Sequence, residues 1–81
     1  MKARVYVSLK STVLDPQGQT IRAALAGQGH GLVRDVRQGK FFDLALDAGV
    51  SREQAEKEID GIARDVLTNP VTEDYRVEFT E

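Results

Sequence analysis

Few side chains in this sequence have the type and spacing that catalysis requires. A Ser–His–Asp triad would have to use the single histidine, His30, which lies in a glycine-rich turn. The chain has no cysteine, so thiol nucleophiles and thiolate metal ligands are excluded together. A metal site at His30 would need several carboxylates to converge on it. We therefore expect no catalytic residue and no metal site in this chain.

Two glycine-containing segments look like phosphate-binding loops at first sight. The run from Gly27 to Gly31 follows a predicted helix and leads into a predicted strand. That order is the reverse of the one that points backbone N–H groups at a phosphate. The pair Gly39-Lys40 is followed by Phe41 rather than Ser or Thr, and no upstream glycine completes a P-loop. These segments indicate a helix end and a hairpin turn, so we expect no bound cofactor.

The acidic residues between positions 53 and 60 are interleaved with basic residues. Glu53 precedes Lys57, and Asp60 precedes Arg64, at the i,i+4 spacing that pairs opposite charges along a helix. This pattern indicates a solvated helix face rather than a pair of carboxylates for acid–base catalysis.

Two aromatic residues, Tyr6 and Phe41, lie on predicted strands where RNA-recognition domains stack bases. A nucleic-acid binder usually carries a basic face, whereas this chain has a net charge of −2 and no long run of either sign. The basic, aromatic-dense pattern of those domains is also absent. We therefore expect no nucleic-acid partner.

The 81 residues predict a single domain, 1–81, with a thin core. Disulfides are excluded, so oligomerisation is the remaining way to stabilise so small a core. Apolar stretches are only a few residues long, so we expect no membrane span. Met1 is followed by charged residues and a strand pattern rather than by an apolar signal core, which predicts a cytoplasmic protein.

The first half of the chain predicts a strand and a helix. Apolar and polar residues alternate over 2–9, as in a half-buried strand. Asp15 can cap free N–H groups, and Pro16 suits the first helical position because its missing N–H would have no partner there. The glycines from Gly27 to Gly31 end this helix.

Two apolar-rich runs, 32–38 and 41–47, predict the next two strands, joined by a tight hairpin in which Gly39 takes a positive φ. Ser51 opens the second helix as a capping box, and Asn69-Pro70 stops it.

A last strand is predicted from Tyr75 to Phe79 by the same alternation. The element order β-α-β-β-α-β predicts an α+β, ferredoxin-like fold: a four-stranded antiparallel sheet with both helices on one face. The opposite face would mix Tyr6 and Phe41 with charged residues, which is typical of a partner surface.

Three segments, in this order, resemble the PurS family: residues 13–18 (VLDPQG), 33–40 (VRDVRQGK) and 67–75 (LTNPVTEDY). The chain has the length of PurS proteins and begins MKARVYV, so the resemblance covers essentially the whole sequence. It departs from the family at Ser11-Thr12, where PurS commonly has Pro-Gly, and at Thr72, where PurS commonly has a large aliphatic residue.

The resemblance implies a non-catalytic subunit of phosphoribosylformylglycinamidine synthase, an ATP-dependent ligase of purine biosynthesis. PurS proteins form homodimers or tetramers and bridge a large synthetase subunit (PurL) and a glutaminase subunit (PurQ). Ammonia released from glutamine is transferred to formylglycinamide ribonucleotide. The resemblance further implies that this chain holds no cofactor, and that ATP and Mg²⁺ belong to the large synthetase subunit.

Three regions are candidates for contact with other subunits: the loop around Asp15, the Gly39-Lys40 turn and the segment from Asn69 to Tyr75. The candidate residues are Asp15, Pro16, Gly18, Arg37, Gly39, Lys40, Asn69, Pro70, Glu73, Asp74 and Tyr75. Glu73 and Asp74 are adjacent carboxylates on a short loop, so we expect a basic group of a sister chain or of the synthetase subunit to receive them.

One rival interpretation is a small-molecule-sensing regulatory domain, since such domains share the predicted topology. It would require a glycine-lined pocket at a strand–helix junction, for which 27–31 is the one candidate.

Overall fold

The structure, a computed structural model that describes residues 1–80, contains three strands and two helices. In chain order they are β1 (Lys2–Leu9), α1 (Pro16–Gly27), β2 (Gly39–Ala45), α2 (Arg52–Ile62) and β3 (Glu73–Thr80). A π-helical turn, Ala63–Leu67, prolongs α2. None of the helices in the described residues is long and apolar enough to cross a membrane.

The first strand lies at the centre of an antiparallel sheet of order β2-β1-β3. Val5 is opposite Phe42 on one side and Val77 on the other. The alternation predicted for β1 is confirmed, because Ala3, Val5 and Val7 are 1%, 0% and 1% exposed. These side chains share one face of the strand and form the middle of the core.

The second helix covers this inner face. Ser51 caps it, its hydroxyl accepting the N–H of Gln54 at 3.1 Å, as the sequence predicts. Ile59 of α2 and Ala63 of the π-helical turn are buried against the central strand. Very few apolar side chains in the described chain are fully buried, so the core is as thin as the length indicates.

The prediction of four strands was wrong. Within the part of the chain that the structure describes, residues 32–38 pair with no strand, and Gly39, predicted to be a hairpin turn, lies in β2 opposite Ser8. Its φ is not positive; only Gly29 and Gly49 have positive φ among the described residues. Gly39 is needed for a close approach instead, because a Cβ there would lie 2.9 Å from the carbonyl oxygen of Val7.

The predicted packing of the first helix also differs from the structure, since Gly18 is the only buried residue of α1. The helix lies instead along the residues that precede β2. The Arg22 Nε donates to the Arg34 carbonyl at 2.7 Å, and the Gln38 side chain donates to that of Gln17 at 2.6 Å. We call residues 14–38 the α1 arm.

The molecule that carries the α1 arm is elongated. The molecule measures 51 × 27 × 14 Å, with a radius of gyration of 16.3 Å. A compact domain of this length would have a radius of gyration of about 12 Å. Much more of the chain is therefore available to other molecules than in a compact fold of equal size.

Candidate subunit-contact site

The three candidate regions meet at one end of the sheet. Because β1 is antiparallel to both neighbours, its last residues lie opposite the first residues of β2 and β3. Ser8 is opposite Gly39, and Leu9 is opposite Glu73. We call this region, formed by residues 8–18, 36–40 and 68–75, the loop end.

Asp15 connects two segments of the loop end by hydrogen bonds. Its carboxylate accepts the N–H of Gly18 at 3.0 Å, as the predicted cap of α1, and the N–H of Gln38 at 2.7 Å. The side chain is thus used within the chain, and the residue is only 4% exposed. The hydrogen bond from Gln38, followed by that from Gly18, lowers the pKa of the Asp15 carboxyl below its ordinary value.

Pro16 and Gly18 lie in the first turn of α1, next to Asp15. Pro16 is the first helical residue, as predicted. Gly18 lies directly against the carbonyl of Val36, and an added Cβ would overlap that oxygen and lie 3.0 Å from Asp15 Oδ2. The helix can therefore reach the segment before β2 only with glycine at this position.

Arg37 is hydrogen-bonded to the loop that follows β1. One guanidinium nitrogen, Nη2, donates to the carbonyls of Lys10 and Val13, both at 2.9 Å. Gly39 and Lys40 then continue into β2, where Lys40 points its ammonium group toward Glu73 across β1 (3.8 Å). Together, Asp15 and Arg37 hold the α1 arm and the loop after β1 in one arrangement.

Glu73 and Asp74 both have partners within this chain, and their contact with another chain stays a prediction. Lys10 Nζ lies 2.9 Å from Asp74 Oδ1, and Glu73 accepts the N–H of Asn69 at 2.8 Å besides facing Lys40. The two carboxylates differ in access, since their side chains are 19% (Glu73) and 65% (Asp74) exposed. Asp74 alone of the pair presents a largely exposed side chain, although one of its oxygens pairs with Lys10.

The turn before β3 is held at both ends. The Asn69 side chain accepts the N–H of Val71 at 3.0 Å, and Pro70 follows Asn69 directly. Tyr75, in β3, donates its O–H to the Asp60 carboxylate at 2.6 Å. This hydrogen bond and burial raise the pKa of the Tyr75 hydroxyl.

Two shallow clefts open at the loop end. One, of about 240 Å³, is lined by residues that include Asp15, Gln38 and Lys40. The other, of about 300 Å³, is lined by residues that include Lys10, Thr68 and Asp74. The described residues contain no group of three or more His, Cys, Asp or Glu side chains that could hold a metal ion.

Sequence reasoning missed two members of this site. Lys10 was not among the predicted contact residues. It directly follows the first strand, and an antiparallel neighbouring strand begins close to that end, which is the signal that could have identified it. Thr68 was also missed; its hydroxyl is buried and has no hydrogen-bond partner among the described residues. No feature of the sequence marks that burial. Contact of any loop-end residue with another subunit stays a prediction.

The fold and the loop end define a small α+β domain whose polar groups cap helices, brace loops and pair with one another. The PurS family, described as phosphoribosylformylglycinamidine (FGAM) synthase, matches residues 2–81. The chain belongs to the PurS family, which confirms the resemblance found in the sequence.

Named relatives match the chain over nearly its whole length. It is 39% identical over 84 residues to phosphoribosylformylglycinamidine synthase subunit PurS of Bacillus subtilis, covering 99% of this chain and 93% of that protein. It is 43% identical over 76 residues to the subunit of the same name in Mycobacterium leprae, covering 94% and 91%.

Solved structures show the same fold. Bacillus subtilis PurS superposes with a TM-score of 0.86 at 40% identity, covering 99% of this chain and 98% of that one. A chain of the structure of PurLQS from Thermotoga maritima superposes with a TM-score of 0.84 at 32% identity, covering 95% and 93%.

Proposed function

We propose that this chain is the subunit of phosphoribosylformylglycinamidine synthase that joins a glutaminase subunit to an ATP-using synthetase subunit, and that it supplies no catalytic group. The observation that carries the proposal is the family match over residues 2–81. The likeness to a chain of PurLQS, over 93% of that chain, supports a place in such an assembly. ATP and Mg²⁺ then belong to the synthetase subunit.

The internal hydrogen bonds of the loop end support a bridging role. Asp15 and Arg37 fix the loops that follow β1 and precede β2, while Asp74 leaves most of its carboxylate exposed. A small rigid domain across a subunit junction would fix the relative orientation of two active sites. Ammonia released at one site would then reach the other before water captures it.

Self-association is part of the proposal. The core of the free chain is thin, and several large apolar side chains of the arm and of the turns are exposed. These residues are Leu14, Ile21, Leu32, Val66 and Val71. A second copy that covers some of this surface would supply the apolar burial that one chain lacks.

A reconstitution tests the bridging role. We expect the glutaminase and synthetase subunits of the same organism to make formylglycinamidine ribonucleotide from glutamine at least about tenfold more slowly without this chain, because positioning two sites is lost. Synthesis from a high concentration of ammonium salt should be unchanged, since ammonia then needs no transfer. Both rates are measured by product formation, with and without the chain.

The chain alone should show no glutaminase, ATPase or synthetase activity in the same assays. A reconstitution in which glutamine-dependent synthesis is the same with and without the chain would refute the bridging function.

Asp74 offers a test of the loop end. We expect Asp74→Asn to weaken assembly about two- to fivefold and to reduce its salt dependence, because exposed charges act mainly on association. Folding should change by no more than about 0.5 kcal/mol. Affinity for the synthetase subunit, measured by titration calorimetry at two salt concentrations, decides the result.

Glu73→Gln is the matched control. Glu73 accepts the N–H of Asn69 and is mostly covered, so its replacement should affect the stability of the turn rather than the salt dependence of assembly. If Asp74→Asn assembles with unchanged affinity and salt dependence, the turn before β3 has no part in binding.

A further inference from the structure

The π-helical turn at the end of α2 exposes an apolar side chain and is followed by a buried polar one. Val66 is 74% exposed, whereas Thr68, directly after the turn, is 8% exposed. The Thr68 hydroxyl has no hydrogen-bond partner among residues 1–80. A buried hydroxyl without a partner destabilises a fold, and an exposed valine contributes no burial. Both effects disfavour this turn as it stands.

A regular α turn would reverse the two positions. Successive residues of an α-helix are rotated by about 100°, so Val66 would lie within about 60° of the direction of Ala63, and Thr68 would point about 140° away. Ala63 is fully buried and marks the direction of the core. A π turn closes hydrogen bonds from residue i to i+5 instead, which brings the fifth residue on above the first. Thr68 therefore shares the buried side with Ala63, and Val66 is turned outward.

The contacts that follow the turn stabilise the π form. The Thr72 carbonyl accepts the N–H of Lys10 at 2.8 Å, which ties the chain after the helix to the end of β1. Glu73 accepts the N–H of Asn69, also at 2.8 Å. The loop end thus favours the π form, whereas the turn's own side chains favour the α form.

We propose that the end of α2 is a two-state element, in which Ala63–Leu67 interchanges between the π turn and a regular α turn. The α form carries Val66 to the margin of the core and the Thr68 hydroxyl to solvent. A minor form of this kind typically comprises about 0.1–10% of the molecules. Residues 69–74 follow the helix end, so the loop end has two shapes. A molecule that binds one shape more tightly selects it. The inference concerns the free chain and does not depend on the bridging function.

Thiol labelling tests the exchange, because the sequence has no cysteine. Val66→Cys is exposed in the π form and should react at nearly the rate of a free thiol. Thr68→Cys should react about 10- to 1,000-fold more slowly, in proportion to the population of the α form. Cysteine is buried more readily than threonine, so this rate gives a lower limit for the wild type.

Ala63→Cys is the matched control for exchange rather than unfolding. The position is 0% exposed and faces the core in both forms, so only unfolding of the helix end exposes it. We expect Ala63→Cys to react at least about tenfold more slowly than Thr68→Cys. Thr68→Cys labelling no faster than Ala63→Cys would overturn the proposal, since the turn would then be either fixed or simply unfolding.

A second pair of variants keeps the test independent of the folding of Ala63→Cys. In the Thr68→Cys background, Val66→Ser removes the apolar side chain that favours the α form, so labelling should slow about three- to tenfold. Val71→Ser replaces a valine that is 78% exposed outside the turn and should leave the rate unchanged. Equal labelling rates in these two double variants would also overturn the proposal.

Discussion

Replacing Gly18 with alanine is expected to destabilise the protein by about 1–3 kcal/mol, the usual range for a side chain forced into a filled site. The added methyl group would overlap the carbonyl oxygen of Val36, which is main chain and cannot rotate away as a side chain would. Alanine favours helices more than glycine does, so a simple propensity argument predicts the opposite sign. Urea unfolding followed by circular dichroism measures the change in the free energy of unfolding.

Gly27→Ala is the control for this prediction, because Gly27 lies in the same helix with nothing within 4 Å of an added Cβ. It should leave stability unchanged or raise it by up to about 1 kcal/mol. Equal stabilities for the two variants would show that α1 does not rest on Val36.

Replacing Asp15 with asparagine should remove a large part of the free energy of unfolding at neutral pH. It should also make the free energy of unfolding depend less on pH in the acid range. The carboxylate accepts two backbone N–H groups, whereas an amide offers one oxygen and turns its NH₂ toward the other donor. The amide substitution therefore leaves a buried N–H without an acceptor.

The sign of the pH effect follows from the lowered pKa of Asp15. A carboxyl whose pKa is lower in the folded chain than its ordinary 3.8 stabilises the fold above that pH and loses the contribution as pH falls through the folded value. Wild type should therefore lose its advantage over Asp15→Asn below about pH 4. Urea midpoints at pH 7 and at pH 3 measure this. An advantage that persists undiminished in acid contradicts the role assigned to the carboxylate.

Local patterns in the sequence were sufficient for the elements that depend on near neighbours. The alternation of β1, the Asp15-Pro16 start of α1 and the Ser51 cap of α2 are all confirmed. Each involves residues within a few positions of one another, so composition and spacing carry the information. The family assignment came from three matching segments rather than from physical reasoning, and it too is confirmed.

The missing fourth strand had a different cause. Residues 32–38 are apolar-rich, and this composition is what led the sequence pattern to predict a strand. What they lack is a partner strand within the described chain, and the Gln38 N–H instead reaches Asp15, 23 positions away. Contacts between residues so far apart in the sequence, such as the ion pair of Lys10 with Asp74, depend on the strand order. They cannot be predicted from local residue spacing.

The position of β1 in the sheet has a consequence for biosynthesis. This strand leaves the ribosome before both of its partner strands, and one of its edges pairs with β3, from Lys2 opposite Thr80 to Leu9 opposite Glu73. Those partners are made about 70 residues later, which takes about 3.5 to 14 s at ordinary rates of translation. Throughout that interval the growing polypeptide carries an open apolar edge of the kind that recruits chaperones or joins neighbouring nascent chains.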